Sequence, residues 1–161
     1  MRRTPPSLPT ELAQVIERLN PLWRAEPGPP LPPYRRWPFD ALMHHLKQGL
    51  TPAVLLRGPR RVGKTVLLRQ VIQALIREGV DGRRILYLPF DELPDLARLR
   101  MPILTVPFWY QDRYLGRSFN QAAHGGKSAF LFLDETRALY PLREVKAREE
   151  IEVPETYPSG M

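Results

Sequence analysis

Residues 53–78, AVLLRGPRRVGKTVLLRQVIQALIRE, constrain the fold more than any other stretch. They open on a short apolar run, turn through two glycines, and continue with Leu67, Leu68, Val71, Ile72, Leu75 and Ile76 at helical spacing. The opening run is the right length for a buried strand and too short for a helix. Gly79 stands where a helix stop belongs. A buried strand, a glycine turn and a helix in that order predict an α/β layer structure with a parallel sheet.

The rest of the chain supplies further elements of the same alternation. RILYL at 84–88 and SAFLFL at 128–133 predict a second and a third strand. Pro94, Pro102 and Pro107 are expected to break up 91–127 and leave a helix over part of 107–123. DETRALYPLREVKAREE is expected to be partly helical with a break near Pro141, and the tail VPETYPSGM loose. Upstream, Leu12, Val15, Ile16 and Leu19 follow one helix face, with Thr10 as the expected N-cap. PGPPLPP at 27–33 has no helical period and predicts extended chain. WPFDALMHHLKQGL then predicts a short helix capped by Asp40 and ended by Gly49. His44 and His45 within it are adjacent, and neighbours on a helix point about 100° apart, so they read as packing and surface residues rather than a metal pair. The expected organisation is a Pro-rich N-terminal extension with a short helix over 1–38, a core over 39–150, and a tail over 151–161.

Composition narrows the class. The chain has 161 residues and no cysteine, which excludes disulfides and thiolate metal sites. Its apolar runs are far too short to span a bilayer, and no apolar signal core follows MRRTPPSLPT. No membrane association and a cytoplasmic address are expected. The formal charge of +7 is concentrated toward the front, where residues 1–100 carry 17 Lys+Arg against 9 Asp+Glu. That excess reads as a solvated basic face around an anion site. A nucleic-acid partner is compatible with it, but no long basic run or helix stripe supports one.

The glycine turn has a specific chemistry. Gly58, Pro59, Arg60, Arg61, Val62, Gly63, Lys64 and Thr65 match G-x-x-x-x-G-K-[ST] between a strand and a helix. Phosphates need several donors converging in a small space. Glycines allow the chain to curl so that backbone N–H groups point inward, and the helix N-terminus adds unpaired N–H groups and partial positive charge. Lys64 would reach the β- and γ-phosphates and Thr65 would place its hydroxyl on Mg²⁺. Val66 follows as the last residue of the cofactor-binding stretch.

The third strand ends FLFLDE, which places Asp134 and Glu135 at its carboxyl end, the edge where open α/β sheets bind ligands. Asp134 would help hold Mg²⁺ through its water shell, and Glu135 would act as general base on the attacking water. ILYLPFDE at 85–92 also ends in two acids. Pro89 lacks the N–H that a central strand donates, so Asp91 and Glu92 are assigned a supporting role.

Together the two motifs resemble the P-loop ATPases whose Walker B aspartate is followed by a catalytic glutamate. RGPRRVGKTVLLRQ with AFLFLDETRAL is similar to an AAA-type branch of bacterial and archaeal ATPases that join an N-terminal AAA domain to a C-terminal domain of unknown function. The resemblance covers about residues 36–140 and implies a P-loop three-layer α/β/α fold, of which about three strands are readable here. It implies binding of ATP with Mg²⁺ and, in full-length relatives, hydrolysis to ADP and phosphate, with an arginine commonly supplied by a neighbouring subunit. Self-association or a protein partner is compatible with that. Val66 stands where the branch has a second threonine, and Thr136 and Arg137 stand where it has Ile-Gln. The fold of the branch also implies one more strand, following the acid strand in the chain and lying between it and the cradle strand. No such strand is readable after DETRAL, and EIEV at 150–153, flanked by charges and Pro154, is a weak substitute. The expectation is therefore a chain truncated after its acid motif, with weak nucleotide binding and turnover near background. The alternatives are a nucleotide-binding module or remnant without efficient turnover and, with less support, a P-loop kinase.

Overall fold

In a computed structural model that describes residues 7–49, 53–135 and the backbone of 149–152, the first helix, α1, spans Thr10–Leu19. It buries Leu12 and Ile16, as the apolar spacing predicts. Thr10 is not its cap. Pro9 occupies that position without a side-chain bond, and Thr10 is the first helical residue. The chain divides into two compact units, one of Met1–Gly28 with Gly79–Leu142 and one of Pro29–Glu78 with Arg143–Met161.

The first unit is built around strands β2 (Ile85–Pro89) and β3 (Phe130–Asp134), paired in parallel from Ile85 opposite Phe130 to Pro89 opposite Asp134. The other edge of β2 is closed by side chains rather than by a strand. Asn20, buried just after α1, accepts from the Tyr87 N–H at 2.8 Å through Oδ1. Its Nδ2 donates to the Tyr87 carbonyl at 2.9 Å and to the Ile16 carbonyl at 2.9 Å. Trp23 Nε1 donates to the Ile85 carbonyl at 2.7 Å. One amide side chain thus imitates a neighbouring strand and satisfies an edge that would otherwise bury unpaired backbone.

The same alternation explains Pro89. Residues 85 and 87 direct backbone groups away from β3, and Pro89 has their parity, so its missing N–H takes nothing from the ladder. The expectation that this proline lies outside the strand is corrected: β2 runs through it.

Replacing Asn20 by Leu removes the Asn20 partner from both Tyr87 backbone groups. At about 1–3 kcal/mol for each of the two groups, the loss of unfolding free energy should be about 2–6 kcal/mol. A lowered urea midpoint with an unchanged slope would register it, and an unchanged midpoint would refute the edge-closing role.

Trp23 also anchors an aromatic cluster, stacked on Tyr114 with ring centroids 3.9 Å apart and on Tyr110 at 5.5 Å. Leu12, Ile16, Leu86, Leu88, Phe90, Leu96 and Val106 complete this core. Burial pushes the phenols of Tyr110 and Tyr114 above their ordinary range; Tyr110 donates to the Arg83 carbonyl at 2.6 Å and Tyr114 to Glu17. Gly82 lies so close to the backbone of Leu22 that an added Cβ would stand 2.3 Å from the Leu22 carbonyl oxygen.

Residues 91–127 are more helical than the prolines predict. Helix α4 spans Pro102–Tyr110 with Pro102 in its first turn and Pro107 inside it, continues into a π-turn over Gln111–Leu115, and is followed by α5 (Phe119–His124). Pro107 removes one helical bond, a penalty of about 3 kcal/mol. Burial of Val106, Trp109 and Tyr110 on the aromatic core offsets it. The segment 136–148, where a partial helix was expected, and the tail beyond 152 lie outside the described residues.

In the second unit, α2 (Pro38–Gln48), β1 (Val54–Arg57) and α3 (Lys64–Arg77) follow the sequence closely. Asp40 lies in the first turn of α2 rather than at its cap, and Gly49 closes the helix in the left-handed conformation. Helix α3 buries Leu67, Val71, Ile72, Ala74 and Leu75, and α2 packs against it. A fourth strand lies at the EIEV segment, the weak candidate for a strand after the acid motif. β4 (Glu149–Glu152) pairs in parallel with β1, from Val54 opposite Glu149 to Arg57 opposite Glu152. The chain is therefore α/β with two parallel strand pairs, β1 with β4 and β2 with β3.

Candidate functional site

The nine residues of the predicted cradle lie together in the second unit, on the loop between β1 and α3 and the first turn of α3. The loop curls as its sequence requires. Gly58 has φ 154°, Arg61 φ 62°, and Gly63, the N-cap of α3, φ 87°. Glycine supplies the first and last of these turns without strain; Arg61 takes the left-handed conformation at some cost. Val62 is buried and pins the loop, while Pro59, Arg60 and Arg61 are exposed. Lys64 begins the helix and its Nζ folds back over the loop, donating to the Gly58 carbonyl at 2.8 Å and to the Pro59 carbonyl. Thr65 and Val66 are half-buried in the same turn. The result is a loop with positive-φ residues, a helix N-terminus and an ammonium group in one place, the arrangement that favours an anion.

Asp134 and Glu135 lie in the first unit, at the carboxyl end of β3 as predicted. Asp134 is 5% exposed and accepts from the Tyr87 hydroxyl at 3.0 Å through Oδ2. Glu135 is half-buried and has φ 53°, a left-handed conformation unusual for a residue with a side chain. Asp91 and Glu92 are exposed on a 3-10 turn after β2, and Asp91 and Glu92 thus differ from Asp134 in burial. Among the described residues there is no cluster of three or more acidic or histidine side chains arranged for a metal. Mg²⁺ bound with phosphates needs only one or two protein carboxylates, so Asp134 suits that donor set and a dedicated cation cage is not required.

Sequence reasoning missed three residues. Tyr87 reaches Asp134 across 47 positions, and only its hydroxyl in an otherwise apolar strand hinted at a polar partner. Gln70 is buried on the apolar face of α3, where a polar residue between Leu67 and Val71 is itself a signal. Arg36 lies against Gly63, with its Nε 3.1 Å from where a Cβ would stand; nothing local in the sequence points to that contact.

Tyr87→Phe removes the donor from a buried carboxylate. It is expected to cost about 1.5–3 kcal/mol of stability, the range for a hydrogen bond to a charged group. A double-mutant cycle with Asp134→Asn should show coupling, and strict additivity would mean the bond contributes nothing.

A strand, a glycine-rich loop with a lysine at the start of the following helix, and an acidic pair closing a parallel strand place the chain among α/β proteins of the AAA type. The model of the AAA domain family matches residues 50–146, more than half of the chain, and the chain belongs to that family. No curated protein and no solved structure matches it. Among the described residues no helix is long and apolar enough to cross a membrane.

Proposed function

We propose that this chain is an ATP-binding P-loop domain that takes its nucleotide as the Mg²⁺ complex, which its full-length relatives hydrolyse to ADP and phosphate. The observation that carries the reading is the loop of residues 58–65, with positive φ at Gly58, Arg61 and Gly63, the N-terminus of α3 directly after it, and the Lys64 ammonium folded back onto the Gly58 carbonyl. Membership of the AAA domain family supports the same ligand. In this reading the loop amides hold the phosphates, Lys64 exchanges its two carbonyl partners for phosphate oxygens, and the Thr65 hydroxyl is an oxygen ligand for Mg²⁺. Asp134 would help hold that ion, with the Tyr87 hydroxyl donating to its Oδ2. The bound ion would neutralise charge developing on the phosphates. Glu135 orients a water and takes its proton. The pairings of β1 with β4 and of β2 with β3 also agree with the strand neighbours of a P-loop core, in which a late strand flanks the cradle strand and the second strand flanks the acid strand.

The test is titration with a fluorescent ATP analogue, with and without Mg²⁺, followed by phosphate release from ATP in the absence of any acceptor. Saturable Mg²⁺-dependent binding with release supports an ATPase. Binding without release reduces the reading to a nucleotide-binding module. ADP formed only with an added acceptor, with the phosphoryl group on that acceptor and no free phosphate, points to a kinase, and no binding overturns the proposal.

A further inference from the structure

The segment entering α2 is fastened onto the cradle helix. The Gln70 side chain, 6% exposed on α3, donates through Nε2 to the Pro32 carbonyl at 2.8 Å and to the Tyr34 carbonyl at 2.7 Å. Two bonds from one buried amide fix the extended chain at 32–34, and Arg36 follows two residues later. Its guanidinium then lies beside Gly63: a Cβ on that residue would stand 3.1 Å from Arg36 Nε and 3.5 Å from both Cζ and NH2. The Arg36 carbonyl accepts from the Phe39 N–H at 3.0 Å as α2 begins, and the Arg35 guanidinium rests 4.2 Å from the centroid of the Phe39 ring, so the backbone of Arg36 and the residue before it are anchored as well. Burying a glutamine is costly unless its donors are used. Here they serve to hold a proline-rich strand of chain that carries a cation to the glycine capping the cradle.

From this geometry we infer that Arg36 is a second cationic contact of the cradle for the phosphate chain of the nucleotide, and that Gln70 is the residue that positions it. The inference rests on the ATP-binding reading and adds to it a residue outside the loop motif. A guanidinium offers a planar pair of donors suited to phosphate oxygens, complementing the point charge of Lys64. It also gives glycine at position 63 a second reason beyond its φ of 87°: a side chain there would meet Arg36. Phosphate contact would fasten the 32–36 segment further, because the cation and the peptide that carries it bind together.

The experiment compares wild type, Arg36→Ala, Arg36→Lys, Gln70→Leu, the Arg36→Ala/Gln70→Leu pair and Lys64→Ala for affinity toward ATP, ADP, pyrophosphate and adenosine. Trypsin cleavage after Arg35 is followed in parallel with and without nucleotide. Arg36→Ala should weaken ATP and pyrophosphate by about tenfold and leave the melting temperature nearly unchanged, since the side chain is only half-buried. Arg36→Lys should recover part of the loss. Gln70→Leu should weaken ATP by a similar factor, speed cleavage after Arg35, and add nothing in the Arg36→Ala background, which a merely structural role would not produce. Nucleotide should protect the Arg35 bond in wild type but not in Gln70→Leu. Equal affinity of wild type and Arg36→Ala, with binding lost in Lys64→Ala, would overturn this inference and leave the ATP reading standing. Weakened adenosine binding in Arg36→Ala would move the contact to the base or ribose and likewise overturn it. Failure of wild type to bind ATP, ADP or pyrophosphate would overturn both.

Discussion

Lys64→Ala is expected to raise the dissociation constant for ATP by at least about 100-fold, equivalent to about 2.8 kcal/mol. Lys64 is the ammonium group folded over the loop, within hydrogen-bond distance of the carbonyls of Gly58 and Pro59. Phosphate oxygens carry full charge and the carbonyls do not, so a bound phosphate chain outcompetes them for the same donor. A charge-assisted bond of this kind is roughly twice as strong as a neutral one. Truncation removes that attraction and leaves the backbone N–H groups, Arg36 and Mg²⁺ to offset up to four phosphate charges. The loop itself should survive, because Val62 remains buried and the left-handed turns remain at glycines. The melting temperature without nucleotide should therefore change little, while the rise that nucleotide gives to wild type disappears. Unchanged affinity in the variant would mean that residues 58–65 form a turn with no anion site.

Glu135→Gln should separate binding from turnover. The amide keeps the size of the side chain and its left-handed backbone but cannot accept a proton. Phosphate release is expected to fall by roughly 10²–10⁴-fold while ATP affinity stays within about threefold. The backbone conformation sharpens the expectation. A non-glycine residue at φ 53° directly after a buried strand stores strain on the order of 1 kcal/mol or more, and such strain concentrates where a side chain must be aimed. Glu135→Gly should accordingly lose turnover as completely as Glu135→Gln without losing stability. The paired variants Asp91→Asn and Glu92→Gln are the control. Both residues are exposed on a separate turn, and little change is expected. If that pair abolished turnover and Glu135→Gln did not, the acid role would belong to the end of β2.

What the sequence determined by itself is what depends on near neighbours. The motif at the heart of the cradle occupies eight consecutive residues, 58–65, and its shape follows from where glycine permits positive φ, so a short motif suffices to place it. Helix α3 was legible because Leu67, Val71 and Leu75 repeat at the helical period, and β3 because an apolar run ends in two acids. What only the tertiary structure decided involves groups far apart in the chain. Asn20 closes the edge of β2 from 67 residues away, Gln70 holds Pro32 across 38, and Tyr87 meets Asp134 across 47. Each contact is specified by where a fold brings a donor, which no local pattern encodes. Pro107 stays inside α4 because its neighbours gain more by burial on the aromatic core than the missing hydrogen bond costs. Flanking charges and Pro154 make EIEV at 150–153 a weak strand candidate in the sequence, yet a strand forms at Glu149–Glu152. Strand pairing joins backbones, so those four residues align with Val54–Arg57 through peptide groups that every sequence carries.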